Sequence, residues 1–192
     1  SGNPDRMMLM ERQVRQLFGE VPTDPESYIL ASQISQAEAK KFFIERMRVL
    51  RPRTTGIIWW NLIDGWPQIS DAVVDYYYCK KLAYHYIKRS QQPLCLIFDE
   101  PKDGVLPLHI VSDLQEDVRV NYRVTDLTTG EVVVASTGLA CANQSNLVWN
   151  KPMAEGEKHF YLIEWDYTDA AGNKVTGKNH YMTNLIDISL LQ

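Results

Sequence analysis

The chain has 192 residues, with 45% hydrophobic residues, 10% aromatic residues and a formal net charge of −4. This composition excludes a disordered tail and gives no basic footprint for a nucleic-acid partner. No apolar run reaches the roughly 18 residues that a membrane helix needs, so no membrane partner is expected. The charge is unevenly spread: residues 1–90 hold 13 Lys/Arg against 10 Asp/Glu, and residues 91–192 hold 7 against 14. The shift near residue 90 reads as a domain boundary.

Ser1-Gly2 reads as a cloning remnant ahead of Asn3. A first helix is predicted over residues 3–18, with Asn3 as N-cap, Pro4 at its first position and Gly19 as its stop. Its apolar stripe is Met7, Met10, Val14, Leu17 and Phe18. Thr23 to Glu26 gives a second start signal. A further helix is predicted from Ser35, which forms a capping-box pattern with Glu38. There the apolar face is Ala39, Phe43, Met47 and Leu50, and Arg51-Pro52-Arg53 ends the helix. Tyr76 to Arg89 reads as another helix with Tyr77, Leu82 or Ala83, and Tyr86 facing inward.

Between these helices lies GIIWWNLIDGWPQISDAVVDYY, Gly56 to Tyr77, which holds three of the five tryptophans. Ile57, Ile58, Trp59, Trp60 and Leu62 suit a strand buried on both faces, broken by Asn61, Asp64, Gly65 and Pro67. Polar groups beside indole rings suit a sugar, because a pyranose has an apolar face and a polar rim. Side chains at the C-terminal end of such a strand would face a ligand. Asn61 and Asp64 either bond sugar hydroxyls or brace the loop, and Trp66 is either an outer wall or a packing anchor. Trp59, on the opposite side of the strand, is expected in the core.

After Pro93 the texture changes. Strands are predicted over 94–98, 106–111, 118–124, 132–135, 146–149, 159–167 and 175–183. Thr128-Thr129-Gly130 and Ala170-Ala171-Gly172-Asn173 are hairpin turns. Val118, Val120, Tyr122 and Val124 alternate with polar positions, as do Tyr161, Ile163, Trp165 and Tyr167 with theirs, so each strand has one wet face. Seven strands in about 100 residues predict an antiparallel Ig-like sandwich, with Trp149 and Trp165 in its core.

The remaining chemistry-bearing residues are scattered. Cys79, Cys95 and Cys141 form no CxxC pair. His85, His109, His159 and His180 show no metal spacing. No metal ligand set and no cofactor is predicted. Glu11, Glu20, Glu26, Glu38 and Glu45 fall on helices or caps.

Residues 28–95 resemble the end of the catalytic barrel in glycoside hydrolase family 2, in its β-mannosidase-like or β-galactosidase-like branch. The resemblance rests on Gly56, Trp60, Leu62, Asp64, Trp66, Pro67, Asp75, Tyr76, Tyr77, Lys81 and Tyr84, with Gln33, Gln36 and Glu45 on the preceding helix. Asn61 replaces the family glutamine and Ile63 an asparagine, which leaves the sugar open. The resemblance implies an α+β fragment. Residues 1–90 would be the last α/β unit of a TIM-type barrel, mostly helical with one buried strand, and 91–192 the Ig-like β-sandwich. A whole barrel needs about 250 residues.

Members of this family are retaining glycosidases with two glutamates, one after an Asn and one on a later strand. Residues 1–55 carry neither feature, so both are expected upstream and this chain is expected to be inactive, with no catalytic residue of its own. The implied function is cleavage of terminal β-linked sugars by the longer enzyme, with carbohydrate as its partner and Trp60, Asn61, Asp64 and Trp66 as substrate-binding residues. The alternatives are a non-catalytic carbohydrate-binding or accessory sandwich module, marked by an exposed row of aromatics in 91–192, and a structural scaffold. Self-association of the exposed barrel segment is a further expectation. The compartment stays open, with the bacterial periplasm or exterior as the expectation.

Overall fold

The computed structural model describes residues 4–153, 156, 158–187 and 189. Asn3, the expected N-cap, lies outside them. The chain divides into two compact units, residues 1–43, 57–89 and 185–192 in one, and 44–56 and 90–184 in the other.

The first unit is built on helices α1 (Pro4–Phe18) and α3 (Leu82–Ser90, through Arg89) and on most of α2 (Pro25–Val49). Gly19 ends α1 with φ 82° and donates its N–H to the Arg15 carbonyl, a geometry that a side-chain-bearing residue adopts at a cost. Val14 and Phe18 of α1 pack with Ala31 of α2, and Leu17, Val21, Tyr28, Ile34 and Ile186 cover them. Met7, expected on this face, is 36% exposed.

Helix α2 is continuous across Ser35. Asp24 is its cap, accepting the Ser27 N–H at 2.8 Å. The Ser35 hydroxyl instead donates to the Ala31 carbonyl one turn back, as a mid-helix serine can. The buried positions of α2 are also not those expected. They include Ala31, Ala37 and Ile44, together with Ser27, Ser35, Lys41 and Glu45, whereas Ala39 and Phe43 are exposed. Helix α3 starts at Leu82 and not at Tyr76. The Asp75 carboxylate binds the N–H groups of Tyr77 and Cys79, Tyr78 takes φ 66°, and Tyr77 points to solvent at 70% exposure. Ala83 and Ile87 form the buried side of α3.

The predicted buried strand over Ile57–Leu62 is not formed. A strand needs neighbours that take its N–H and C=O groups. Among the described residues, this segment finds one short stretch, where Ile63 bridges Val74 and Val73 and Val74 donate to Asn61 and Leu62. Ile58 is 98% exposed, and Trp59 is half-buried where core was expected.

The second unit holds seven antiparallel strands: β1 (Leu94–Phe98), β2 (Val105–Ser112), β3 (Val118–Asp126), β4 (Glu131–Ala140), β5 (Ser145–Pro152), β6 (Phe160–Thr168) and β7 (Lys174–Met182). They form two sheets, ordered β1-β2-β5 and β4-β3-β6-β7. All seven lie where alternation and turn residues place them. Leu96, Leu108 and Ile110 from one sheet and Val120, Tyr122, Val124, Ile163 and Trp165 from the other belong to a single core. Gly130 (φ 77°) and Gly172 (φ 83°) sit in the two predicted turns, where a positive φ favours glycine.

The last turns of α2 belong to this second unit. Val49 enters the strand core. Glu45, 5% exposed, accepts from Asn179 at 2.9 Å, and Asn179 also donates to the Leu96 carbonyl. Arg46 pairs with Asp99, Arg48 with Asp113 and the Ser90 carbonyl, and Arg51 with Asp113 and the Ser112 carbonyl.

Trp165 fills the core only because its register partner on β7 is Gly177. A Cβ at 177 would lie far inside van der Waals contact with the indole Cε2 of Trp165. Gly177→Ala is expected to destabilise this unit by about 2 kcal/mol through overpacking, read as a lower denaturant midpoint at unchanged slope. Gly56→Ala, in open space and, like Gly177, not at positive φ, controls for the added methyl alone.

Candidate functional site

The sequence-predicted residues Trp60, Asn61, Asp64 and Trp66 lie on an irregular stretch whose main chain is held mostly by side chains. Helix α2 offers it a polar stripe. Gln36 Nε2 donates to the Asp71 carbonyl at 2.8 Å, and Gln33 Oε1 accepts the Leu82 N–H at 3.2 Å. One turn beyond Gln36, Lys40 Nζ donates to the Trp60 carbonyl at 2.6 Å and stands 5.1 Å over the Trp59 ring. Burial lowers the Lys40 pKa, and the Asp71 charge opposes that shift. Residues 33, 36 and 40 share one helical face, so the spacing that builds an apolar stripe here builds a hydrogen-bonding one. Sequence reasoning placed Gln33 and Gln36 in the resemblance and missed Lys40; the signal was this polar i, i+3, i+7 pattern.

The four predicted residues fall into two groups. Trp60 is 77% exposed and Trp66 63% exposed, so both rings are presented to a partner or to solvent. The Trp60–Asn61 peptide is cis. Asn61 and Asp64 point into the protein. Asn61 Oδ1 is buried and accepts no hydrogen bond, while its backbone carbonyl accepts from Val73 at 3.3 Å. Such an acceptor costs about 1–3 kcal/mol until a donor reaches it.

Asp64 is 4% exposed. Its Oδ1 accepts from Gln68 Nε2 at 3.0 Å and Ser70 Oγ at 2.5 Å, and its Oδ2 faces Lys81 Nζ at 3.4 Å. Burial alone would raise the carboxyl's pKa. The hydrogen bonds from Ser70 and Gln68 and the Lys81 ammonium outweigh it and hold the carboxyl below the usual carboxylate range. Asp64 therefore stays ionised, with its oxygens turned to the loop.

Exposed apolar side chains continue around the two indoles. Ile58, Leu62, Ile69, Tyr77 and Tyr78 are each more than half exposed. With the two indoles, these seven exposed side chains all fall between residues 58 and 78. In the β unit, by contrast, every aromatic ring is buried or half-buried. A groove of about 630 Å³ there is lined by polar groups such as Asp117, Arg119, Asn121, Thr137 and Asp166. The exposed aromatic row that would mark a sugar-binding sandwich is not found among the described residues.

Three further observations bear on chemistry. No group of three or more His, Cys, Asp or Glu among the described residues is placed to hold a metal. His159 Nδ1 lies 2.6 Å from the buried Asp126 carboxylate. Burial and the neighbouring charge of Glu45 raise the Cys95 thiol to about 11 against the opposing pull of Arg48, so that thiol is unreactive. Among the described residues no helix is long and apolar enough to cross a membrane.

No family model matches the chain. Its sequence is 30% identical over 128 residues to β-mannosidase B of Aspergillus niger, an alignment that covers 58% of this chain and 15% of that protein. It is 31% identical over 125 residues to β-mannosidase B of Emericella nidulans, covering 56% and 15%. The fold matches the β-D-mannosidase of Dictyoglomus thermophilum with a TM-score of 0.79 at 24% identity, over 93% of this chain and 22% of that one. It also matches the exo-chitosanase of Amycolatopsis orientalis at 0.70 and 19% identity, over 92% and 22%. The chain thus spans about 15% of the length of the curated relatives it matches. The chain is similar, over part of its length, to part of these β-mannosidases.

Proposed function

We propose that the chain is the C-terminal part of a retaining glycoside hydrolase that cleaves terminal β-linked sugars. Residues 1–90 correspond to the last α/β unit of its TIM-type barrel, whose strand over Ile57–Leu62 is not formed in this chain, and 91–192 to its Ig-like sandwich. The strand order, with β4 on the sheet of β3, β6 and β7, suits an Ig-like sandwich whose fourth strand has changed sheets. Terminal β-mannosides are the first substrates to test, given the names of the sequence relatives.

The observation that carries the reading is the Trp60 indole, 77% exposed on a backbone held at its carbonyl by Lys40 and at the next residue by Val73. A fixed, exposed indole is a platform for the C–H face of a pyranose, burying apolar area while leaving the hydroxyls free. Trp66 supplies a second ring, and Asn61 Oδ1 an acceptor for a hydroxyl donor. Asp64 supports them from beneath.

Retaining hydrolysis needs two carboxyls about 5–5.5 Å apart across the scissile bond, one as nucleophile and one as acid/base. Of the nearby carboxylates, Asp64 is engaged in the loop and Asp75 in its turn, and Asp71 acts on the Lys40 ammonium, so no two of them are set out as a nucleophile and acid/base pair. Both reacting groups therefore come from the remainder of the longer enzyme. That remainder also covers Ile58, Leu62 and the tyrosines. Left uncovered, these side chains favour self-association of the isolated chain.

In the longer enzyme, Trp60→Ala is expected to lower kcat/KM on a nitrophenyl β-mannoside by roughly 100-fold with little change in melting temperature. Parallel losses of turnover and stability would make Trp60 a packing residue. The isolated 192-residue chain is expected to release no nitrophenol above the blank; steady turnover by a pure sample would refute the missing-carboxylate account. Asn61→Leu should leave the chain's stability unchanged or raise it by about 1 kcal/mol, since it removes an unsatisfied acceptor, yet reduce turnover in the longer enzyme. Thermal melts and kinetics on the one variant separate the two effects.

A further inference from the structure

We propose that Asp64 is a positioning residue, the ionised foot of a closed loop that fixes how Trp66 and Trp60 are presented. The proposal rests on the sugar-platform reading for its purpose and on the loop's own geometry for its mechanism.

The loop from Asp64 to Ser70 carries Trp66 at its tip, and residues 65–69 are all exposed. Neither a helix nor a strand holds it. An exposed segment of this length would sample many conformations unless its two arms were tied, and ordering it costs about 1–2 kcal/mol per residue in backbone entropy. The Asp64 carboxylate ties them. Its side chain is fully buried, and Oδ1 gathers both Gln68 and Ser70 from the returning arm. Ser70 Oγ in turn accepts the Ala72 N–H at 3.0 Å, which passes the constraint to the next segment. Lys81 completes the set by reaching both Asp64 Oδ2 and the Ser70 carbonyl at 3.4 Å. The backbone at the foot is pinned separately, with Asp64 N–H on the Val74 carbonyl, Val74 N–H on Leu62 and Lys81 N–H on Val73.

An acceptor-only group is required at this point. Ser70, Gln68 and Lys81 all present donors, and a carboxylate offers lone pairs to each of them. An asparagine of the same shape would turn an N–H₂ group toward at least one of these donors and would lose the charge facing Lys81. Asp64 touches no substrate in this scheme and acts only through the loop it closes.

The test uses the 192-residue chain itself, labelled with nitrogen-15, with its five indole N–H resonances assigned by single Trp→Phe variants. Asp64→Asn is expected to shift and broaden the Trp66 and Trp60 indole signals. It should also speed hydrogen exchange at the Asp64, Ala72 and Val74 amides by about tenfold or more. The Trp149 and Trp165 indoles of the β unit should not move. Ser70→Ala, which removes one hydroxyl, should give the same pattern at smaller amplitude and decides the matter if Asp64→Asn does not fold. Lys81→Met should reproduce part of it and Lys81→Arg should restore it. Unmoved Trp66 and Trp60 signals with unchanged exchange in the folded variants would overturn the proposal. Failure of the sugar reading shows elsewhere: full turnover by Trp60→Ala in the longer enzyme would remove the platform while leaving the loop result intact.

Discussion

A main chain that leaves helix and ladder must still find partners for its N–H and C=O groups, and from Gly56 to Lys81 this requirement governs the structure. Two strands could have met it in one row of bonds. Here the partners are gathered singly, from Gln33, Gln36 and Lys40 on α2, from the Ser70 hydroxyl and the Asp75 carboxylate and from short backbone exchanges with residues 72–74. Each bond alone contributes only about 1 kcal/mol. Together they fix a segment whose side chains are largely exposed and so cannot fix it by packing.

The β unit is held by the opposite means. Its ladders satisfy the backbone, and alternation sends Val120, Tyr122, Val124, Ile163 and Trp165 inward. Period-two patterning is legible in a sequence because each strand repeats it, which is why all seven strands could be read. What could not be read was the pairing of a large ring with a missing side chain. Trp165 opposite Gly177 is a property of the register, and register joins residues a dozen positions apart.

The helical part was legible where local rules apply and illegible where they do not. Gly19 stops α1 as any positive-φ glycine can. Ser35 and Glu38 imitate a cap, yet the pattern signals a helix start only where the backbone enters from outside, and α2 has already run ten residues by then. Its buried positions include Lys41 and Glu45, so a search for apolar periodicity finds the wrong face. The run Ile57–Leu62 failed for a related reason. An apolar run reports that side chains want burial; it says nothing of whether the partner lies within the same chain.

Trp59 and Trp60 show how far that distinction reaches. They are adjacent, chemically identical and equally apolar. One ring lies half-buried under the Lys40 ammonium, and the other stands 77% exposed one residue on. The same lysine holds the Trp60 carbonyl, so the ring that is sheltered and the backbone that carries the exposed ring share one anchor. On the proposed sugar-platform reading, the main chain is ordered before a ligand arrives, and the ligand then has less conformational freedom to remove. The cost is an exposed indole and its apolar neighbours, which the proposed longer enzyme would cover. The sequence shows the tryptophans, whereas the division of roles between them depends on Lys40, twenty residues away, whose only signal is the polar i, i+3, i+7 spacing it shares with Gln33 and Gln36.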